Sequence, residues 1–182
     1  MRKRARYDQK VADAALLVLF RRHRVPGAKG WELKKRLGSD YPEIIELLNR
    51  YLDKLGLQIR TIFDDVEGSD IEKPTRQQLD KARFMVTVKN PSSVEEDKLC
   101  GWRIDDIAAL AVTTSLIASK GGRAIRKDIE RVLKEKLPAW RVNIDKFVQS
   151  GYLNQDDEGN LEIGWRTRAE VDVHSLMDLL LK

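Results

Sequence analysis

Apolar residues recur every three or four positions between Asp8 and Arg22, at Val11, Ala14, Ala15, Val18 and Leu19, and this spacing predicts a helix. VPGAKG then breaks the pattern with Pro26, Gly27 and Gly30. WELKKRLG reads as one short helix with Trp31, Leu33 and Leu37 apolar and Gly38 at its C-terminal end. Ser39 or Asp40 suits the cap of a third helix, and Pro42 its first turn. That helix carries Ile44, Ile45, Leu47, Leu48, Tyr51, Leu52 and Leu55. In LGLQIRTIFDD the period changes to two, placing Leu57, Ile59, Thr61 and Phe63 on one strand face. Residues 65–82 are polar and read as a long loop, and RFMVTVKN, 83–90, as the returning strand.

Residues 91–99 have no periodicity and are read as a linker. The same order then repeats. Arg103–Ser119 is a predicted helix with Ile104, Ile107, Ala108, Ala111, Ser115 and Ala118 near one face, stopped by Gly121-Gly122. Ala124–Lys136 is a second, carrying Ile125, Ile129, Val132 and Leu133. Trp140–Ser150 is a third, with Val142, Ile144, Phe147 and Val148. SGYLNQDDEGNLEIGW, 150–165, follows as a hairpin whose tight turn suits its Asp, Gly and Asn residues. Shifted by 96 positions, Leu48 meets Ile144, Tyr51 meets Phe147, Leu52 meets Val148 and Leu57 meets Leu153. Two copies of one unit are therefore expected, over about residues 8–90 and 100–168. Three helices closed by a hairpin make a winged helix. The expected class is α+β, mainly α with small β hairpins, in two tandem winged-helix domains: 1–90 with a basic N-terminal arm, and 100–182 with a short C-terminal helix.

Charge divides the chain unevenly. Residues 1–37 hold twelve Lys and Arg against three acids, net +9, and the remainder holds 22 against 26, net −4. A basic front of this kind fits a polyanion partner, or else a charged solvent face. Neither third helix suits a DNA groove. The first offers Asp40, Glu43, Glu46 and Asp53 against Arg50 and Lys54. The second is weakly basic, and its hairpin tip carries Asp156, Asp157 and Glu158, which phosphates repel. DNA contact is therefore expected from the front: Arg2, Lys3, Arg4, Arg6, Arg21, Arg22, Arg24, Lys29, Lys34, Lys35 and Arg36, binding phosphates without reading sequence. Trp31 is read as a core or staple residue, and Trp102, Trp140 and Trp165 as packing residues. Leu176, Met177, Leu179, Leu180 and Leu181 crowd the tail, so they either dock on the body or bind a partner.

One cysteine, Cys100, and two histidines leave no disulfide and no Cys/His zinc site. Phosphate-loop, nucleophile-elbow and zinc-helix motifs are absent. Asp105-Asp106 suits a helix N-terminus. A non-enzymatic protein without cofactor or metal is expected. No signal peptide and no apolar stretch of membrane-spanning length is read, so the expected location is cytoplasmic, on the nucleoid.

The run LLNRYLDKLGLQIRTIFDD (47–65), with the returning strand FMVTVKN (84–90), resembles the first winged helix of the non-SMC-element and MAGE proteins. FVQSGYLNQDDEGNLEIGWRTRAEV (147–171) is similar to their second unit, in which a helix passes into a strand, an acidic turn, a closing strand and a short helix. The resemblance covers about residues 10–175. It implies a kleisin-binding subunit of an SMC-type chromosome complex, with a kleisin-like or SMC coiled-coil partner, a homo- or heterodimer with another winged-helix protein, and non-specific DNA along a basic surface. The eukaryotic relative's C-terminal RING domain has no counterpart here, because the chain lacks the Cys/His cluster it needs. The alternatives are a sequence-specific tandem winged-helix transcription regulator and an adaptor for a RING-type ubiquitin-like ligase, the latter on family analogy alone.

Overall fold

The computed structural model describes residues 2–20, 25–63, 73–90, 101–137, 143–173 and 176. The chain forms two compact units, Met1–Pro91 and Ser92–Lys182.

The first unit runs α1 (Arg2–Leu19), β1 (Ala28–Lys29), α2 (Gly30–Leu37), α3 (Tyr41–Asp53), β2 (Leu57–Ile62), α4 (Arg76–Lys81) and β3 (Arg83–Val88). Its antiparallel sheet has the order β1-β3-β2, so the short strand ahead of α2 pairs with the last strand of the wing. Tyr41, Ile44, Ile45, Leu48 and Leu52 give α3 one buried face, set against Ala14 and Val18 of α1 and Leu33 and Leu37 of α2. Leu57 and Ile59 of β2 and Phe84 and Val86 of β3 close this core from the sheet side. Tyr41 meets Phe84 edge-on, with ring centroids 6.0 Å apart.

The second unit repeats the plan: α5 (Ile104–Ser119), β4 (Arg123–Ile125), α6 (Arg126–Lys136), α7 (Ile144–Gln149), β5 (Leu153–Gln155) and β6 (Asn160–Ile163), then α8 (Trp165–Glu170). The sheet order, β4-β6-β5, matches that of the first unit. Ile117, Ile129, Leu133, Ile144, Phe147, Leu153 and Leu161 form its core. Tyr152 fastens α8 to the wing. Its ring lies edge-on to Trp102 at 5.3 Å and under the Arg166 guanidinium at 4.5 Å. Its hydroxyl donates to Glu170 Oε2 at 2.5 Å, and its carbonyl accepts from the Thr167 hydroxyl at 2.6 Å. The tandem winged-helix architecture expected from the pattern is the architecture found.

Several local expectations are corrected. The stretch read as a loop over 65–82 contains α4, begun by the capping box Thr75–Gln78, in which the Gln78 N–H donates to Thr75 Oγ1 and the Thr75 N–H donates to Gln78 Oε1. Residues 64–72 lie outside the described residues. The turns at 25–30 and 121–125 each hold a strand, so Ile125, expected on a helical core face, lies on β4 and is 55% exposed. Both strands are too short to show a period in sequence.

On α5 the buried set is Asp106, Ala109, Leu110, Thr113, Thr114, Ser115 and Ile117, whereas Ile104 is exposed. This helix is apolar nearly all round, so periodicity does not select its face. Thr113 is buried at low cost because its hydroxyl donates to the Ala109 carbonyl at 2.7 Å. One matched pair of the repeat differs: Tyr51 is exposed while its counterpart Phe147 is buried, whereas Leu48 and Ile144 are both buried and Leu57 and Leu153 both open the first strand of their wing. Trp165, expected at a strand end, begins α8 instead. Arg2, Lys3, Arg4 and Arg6 form the first turns of α1 rather than a separate arm.

Candidate nucleic-acid and partner surfaces

The third helix of each unit ties several of its polar side chains to its own unit. On α7, Asp145 accepts from Arg126 Nη1 of α6 at 2.7 Å, and Lys146 Nζ donates to Asp106 of α5 at 2.6 Å. Asn143 caps the helix by accepting from the Lys146 N–H. Arg126 also donates to Glu130 and Gln155, joining α6, α7 and β5 through one guanidinium. The Lys146 link gives Asp106, which is 7% exposed, a cationic partner; helix-dipole complementarity alone would not have required one. On α3, Asn49 Oδ1 accepts the Ile59 N–H at 2.7 Å, tying the helix to β2, and Asp53 pairs with Lys89. Glu43 and Glu46 face solvent. A groove-reading helix needs free donors at its surface; the one cation of α7, Lys146, is committed to Asp106, and on α3 the exposed Arg50 stands among the exposed acids Glu43 and Glu46.

The basic residues collect elsewhere, on α2 and α4, which pack together. Glu32 accepts the Lys29 N–H at 2.8 Å, and Lys29 Nζ donates to the Lys81 carbonyl at 3.1 Å. Lys34 Nζ reaches Asp80 Oδ2 at 2.5 Å, and Asp80 Oδ1 accepts from the buried Tyr41 hydroxyl at 3.0 Å. The Lys34 ammonium is the main cause holding the Asp80 carboxyl below the ordinary range. Burial, then the hydrogen bond and charge of Asp80, push the Tyr41 phenol up. Arg36 pairs with Asp13 of α1 at 3.0 Å. The Lys35 and Lys81 ammoniums make no hydrogen bond or ion pair among the described residues. Arg76 donates to the Ser39 carbonyl at 2.5 Å. Sequence reading missed Arg76 and Lys81, although the T-R-Q-Q capping signature marked their helix.

Of the other residues expected to meet DNA, the side chains of Arg2, Lys3, Arg4 and Arg6, and all of Arg21, Arg22 and Arg24, lie outside the described residues. Trp31 is not in the core: it is 55% exposed, on the same helix as the buried Leu33 and Leu37. In the tail, Leu176 is half-buried and its N–H donates to the Asp172 carbonyl at 3.0 Å, while Met177, Leu179 and Leu180 lie outside the described residues.

The acidic wing tip is a built turn. Asp156 Oδ1 accepts the Glu158 N–H at 3.0 Å and the Asn160 N–H at 2.8 Å, and Arg123 of β4 pairs with both Asp156 and Glu158. Partial burial alone would raise the Asp156 carboxyl. The Asn160 backbone and side-chain donors and the Arg123 guanidinium outweigh it and bring the value down to about 2. The folded value lies below the ordinary carboxyl value of 3.8. The stability it contributes is therefore complete above the unfolded value and is lost as pH falls towards about 2. Urea midpoints followed from about pH 5 to about pH 2 are expected to fall more steeply for the native chain than for Asp156→Asn. Parallel curves would show that this carboxylate does not hold the turn.

No family model matches the chain, and no curated protein matches it in sequence. Among the described residues, no helix is long and apolar enough to cross a membrane. The chain is similar to a solved chain described as the Nse1-Nse3-Nse4 complex, with a TM-score of 0.65 and 18% identity, over 97% of this chain and 91% of that one. The fold of that chain is the one the resemblance in the sequence implied. At that level of identity the likeness shows a shared fold: this protein is a tandem winged helix built like a chain of the Nse1-Nse3-Nse4 complex.

Proposed function

We propose that this protein is a non-enzymatic subunit of an SMC-type chromosome complex, which grips a kleisin-like partner and holds DNA by its phosphates. One observation carries the proposal: the likeness to a chain of the Nse1-Nse3-Nse4 complex spans both winged helices and nearly the whole length of each chain. The internal pairing of α7 and the acidic outer surface of α3 support protein binding over base reading by these helices. The Lys- and Arg-rich face of α2 and α4 is proposed for phosphates, together with the front residues Arg2, Lys3, Arg4, Arg6, Arg21, Arg22 and Arg24. Exposed Leu16 and Leu19 of α1, with Phe20 just beyond its end, and Leu176, Met177, Leu179 and Leu180 of the tail are the apolar residues proposed for protein. The working location is the nucleoid in the cytoplasm, and a second winged-helix protein is a further candidate partner.

Affinity purification of the full chain under native conditions tests the proposal. The expected result is stoichiometric recovery of a kleisin-like protein with coiled-coil SMC subunits, together with DNA binding that is steep in salt and blind to sequence. Recovery of the chain alone, with one DNA sequence preferred over random duplex by a factor of about 10³ or more, would make it a transcription regulator instead.

A further inference from the structure

We propose that Trp31 is a stacking platform for an unpaired base, so that the α2–α4 face binds single-stranded nucleic acid as well as duplex. The inference deepens the proposed DNA association and rests on it. Trp31 is 55% exposed, while Leu33 and Leu37 of the same short helix are 0% and 2% exposed. The helix thus has a filled core face, and the indole lies off it. Trp31, Lys34 and Lys35 stand at positions i, i+3 and i+4, which places them on one side of α2. All three are exposed.

Composition identifies the ligand class. Protein interfaces collect several apolar side chains and are depleted in lysine. Here no other large apolar side chain of α2 is exposed, and the exposed cations that follow are Lys34, Lys35 and Arg36. The Lys35 ammonium has no partner among the described residues, and Lys34 and Arg36, on either side of it in sequence, pair with Asp80 and Asp13. A single aromatic ring beside a row of cations is the arrangement that holds single strands. The cations follow the phosphates and the ring stacks on a base, whatever its sequence. In a duplex both faces of each internal base are covered by neighbouring pairs, leaving nothing for the indole to stack on. Trp31 therefore separates the two forms of nucleic acid, whereas Lys35 acts on both.

The test is fluorescence anisotropy of the full chain with a labelled, unstructured oligonucleotide and with the duplex of the same sequence. Trp31→Ala is expected to weaken single-strand binding about tenfold, from stacking energies of this kind, and to leave duplex affinity unchanged. Trp31→Phe keeps an aromatic face and is expected to recover most of the loss. Lys35→Gln is expected to weaken both forms alike and to reduce the salt slope by about 1. Equal affinity of Trp31→Ala and the native chain for the single strand, with duplex binding intact, would overturn the platform and leave the phosphate-binding face standing. Equal losses on both forms would overturn it too. A native chain that binds neither form would overturn both readings. Loss of a co-purifying protein in Trp31→Ala, with oligonucleotide affinity unchanged, would place Trp31 in a protein interface instead. Because the indole is exposed, each variant is expected to unfold at the native temperature.

Discussion

Replacing Lys35 and Lys81 together by glutamate is expected to lower affinity for random-sequence duplex about a hundredfold at ~0.1 M salt. A lysine–phosphate contact releases about 0.9 of a condensed counterion, and at this salt concentration that release is worth close to a factor of ten. Two lost contacts multiply to about a hundred, and the reversed charges add repulsion. The salt slope should shrink by about 2 at the same time. These two ammoniums are chosen because neither is held by another group among the described residues, so the substitution breaks no internal pair. Lys34 and Arg36 are poorer choices, since their removal strands Asp80 and Asp13. Exposed lysines away from packing contribute within about 0.5 kcal/mol to stability, so unfolding should be unchanged. Replacing Arg21, Arg22 and Arg24 by glutamate should act in the same direction. Full affinity in both variants would remove the basic face from the mechanism.

Gly30→Ala is expected to destabilise the first unit by about 3 kcal/mol, the upper end of ordinary overpacking costs. Helix propensity argues the other way, since alanine is better than glycine inside a helix by about 1 kcal/mol. The contact decides the sign. A Cβ on Gly30 would lie 1.9 Å from the Leu79 carbonyl oxygen and 2.8 Å from its carbon, both backbone atoms that no rotamer change can clear. The same close approach lets the Gly30 N–H donate to the Ala82 carbonyl at 2.8 Å. The substitution therefore pushes α4 away from α2 and breaks the hydrogen bond that ties the start of α2 to Ala82, just ahead of β3. Thermal unfolding should show the loss, and hydrogen exchange should show the Leu79 and Ala82 amides exposed. Native protection of those amides in Gly30→Ala would mean that α4 does not depend on this seat. Loss of α4 would also carry Lys81 away from α2, so the variant should weaken duplex binding as a secondary effect.

Much of the fold was legible along the chain. Pro42 and the spacing of Ile44, Leu48 and Leu52 marked α3, and the alternation of Leu57, Ile59 and Thr61 marked β2, because these residues obey the periods of helix and strand. The change from one period to the other, twice in the same order, marked the repeat. Where the period failed, so did the reading. On α5 nearly every face is apolar, and the buried stripe passes through two threonines. β1 and β4 are two and three residues long. Trp31 follows the apolar rhythm of α2, yet stands outside the core that Leu33 and Leu37 fill.

The sequence by itself determined the order of the three helices and the two wing strands in each unit, their doubling, and the acidic character of α3. These depend on neighbours along the chain, whose spacing is set by backbone geometry. Only the tertiary structure decided which charges are spoken for and which face remains cationic. Lys34 meets Asp80, Lys10 meets Asp40 and Lys146 meets Asp106 across gaps of 46, 30 and 40 residues. Tertiary packing also brought α4 beside α2, adding Arg76 and Lys81 to a surface that composition had placed only at the N-terminal end. Ion pairing acts over a few ångströms of space, and folding, rather than chain position, sets those distances.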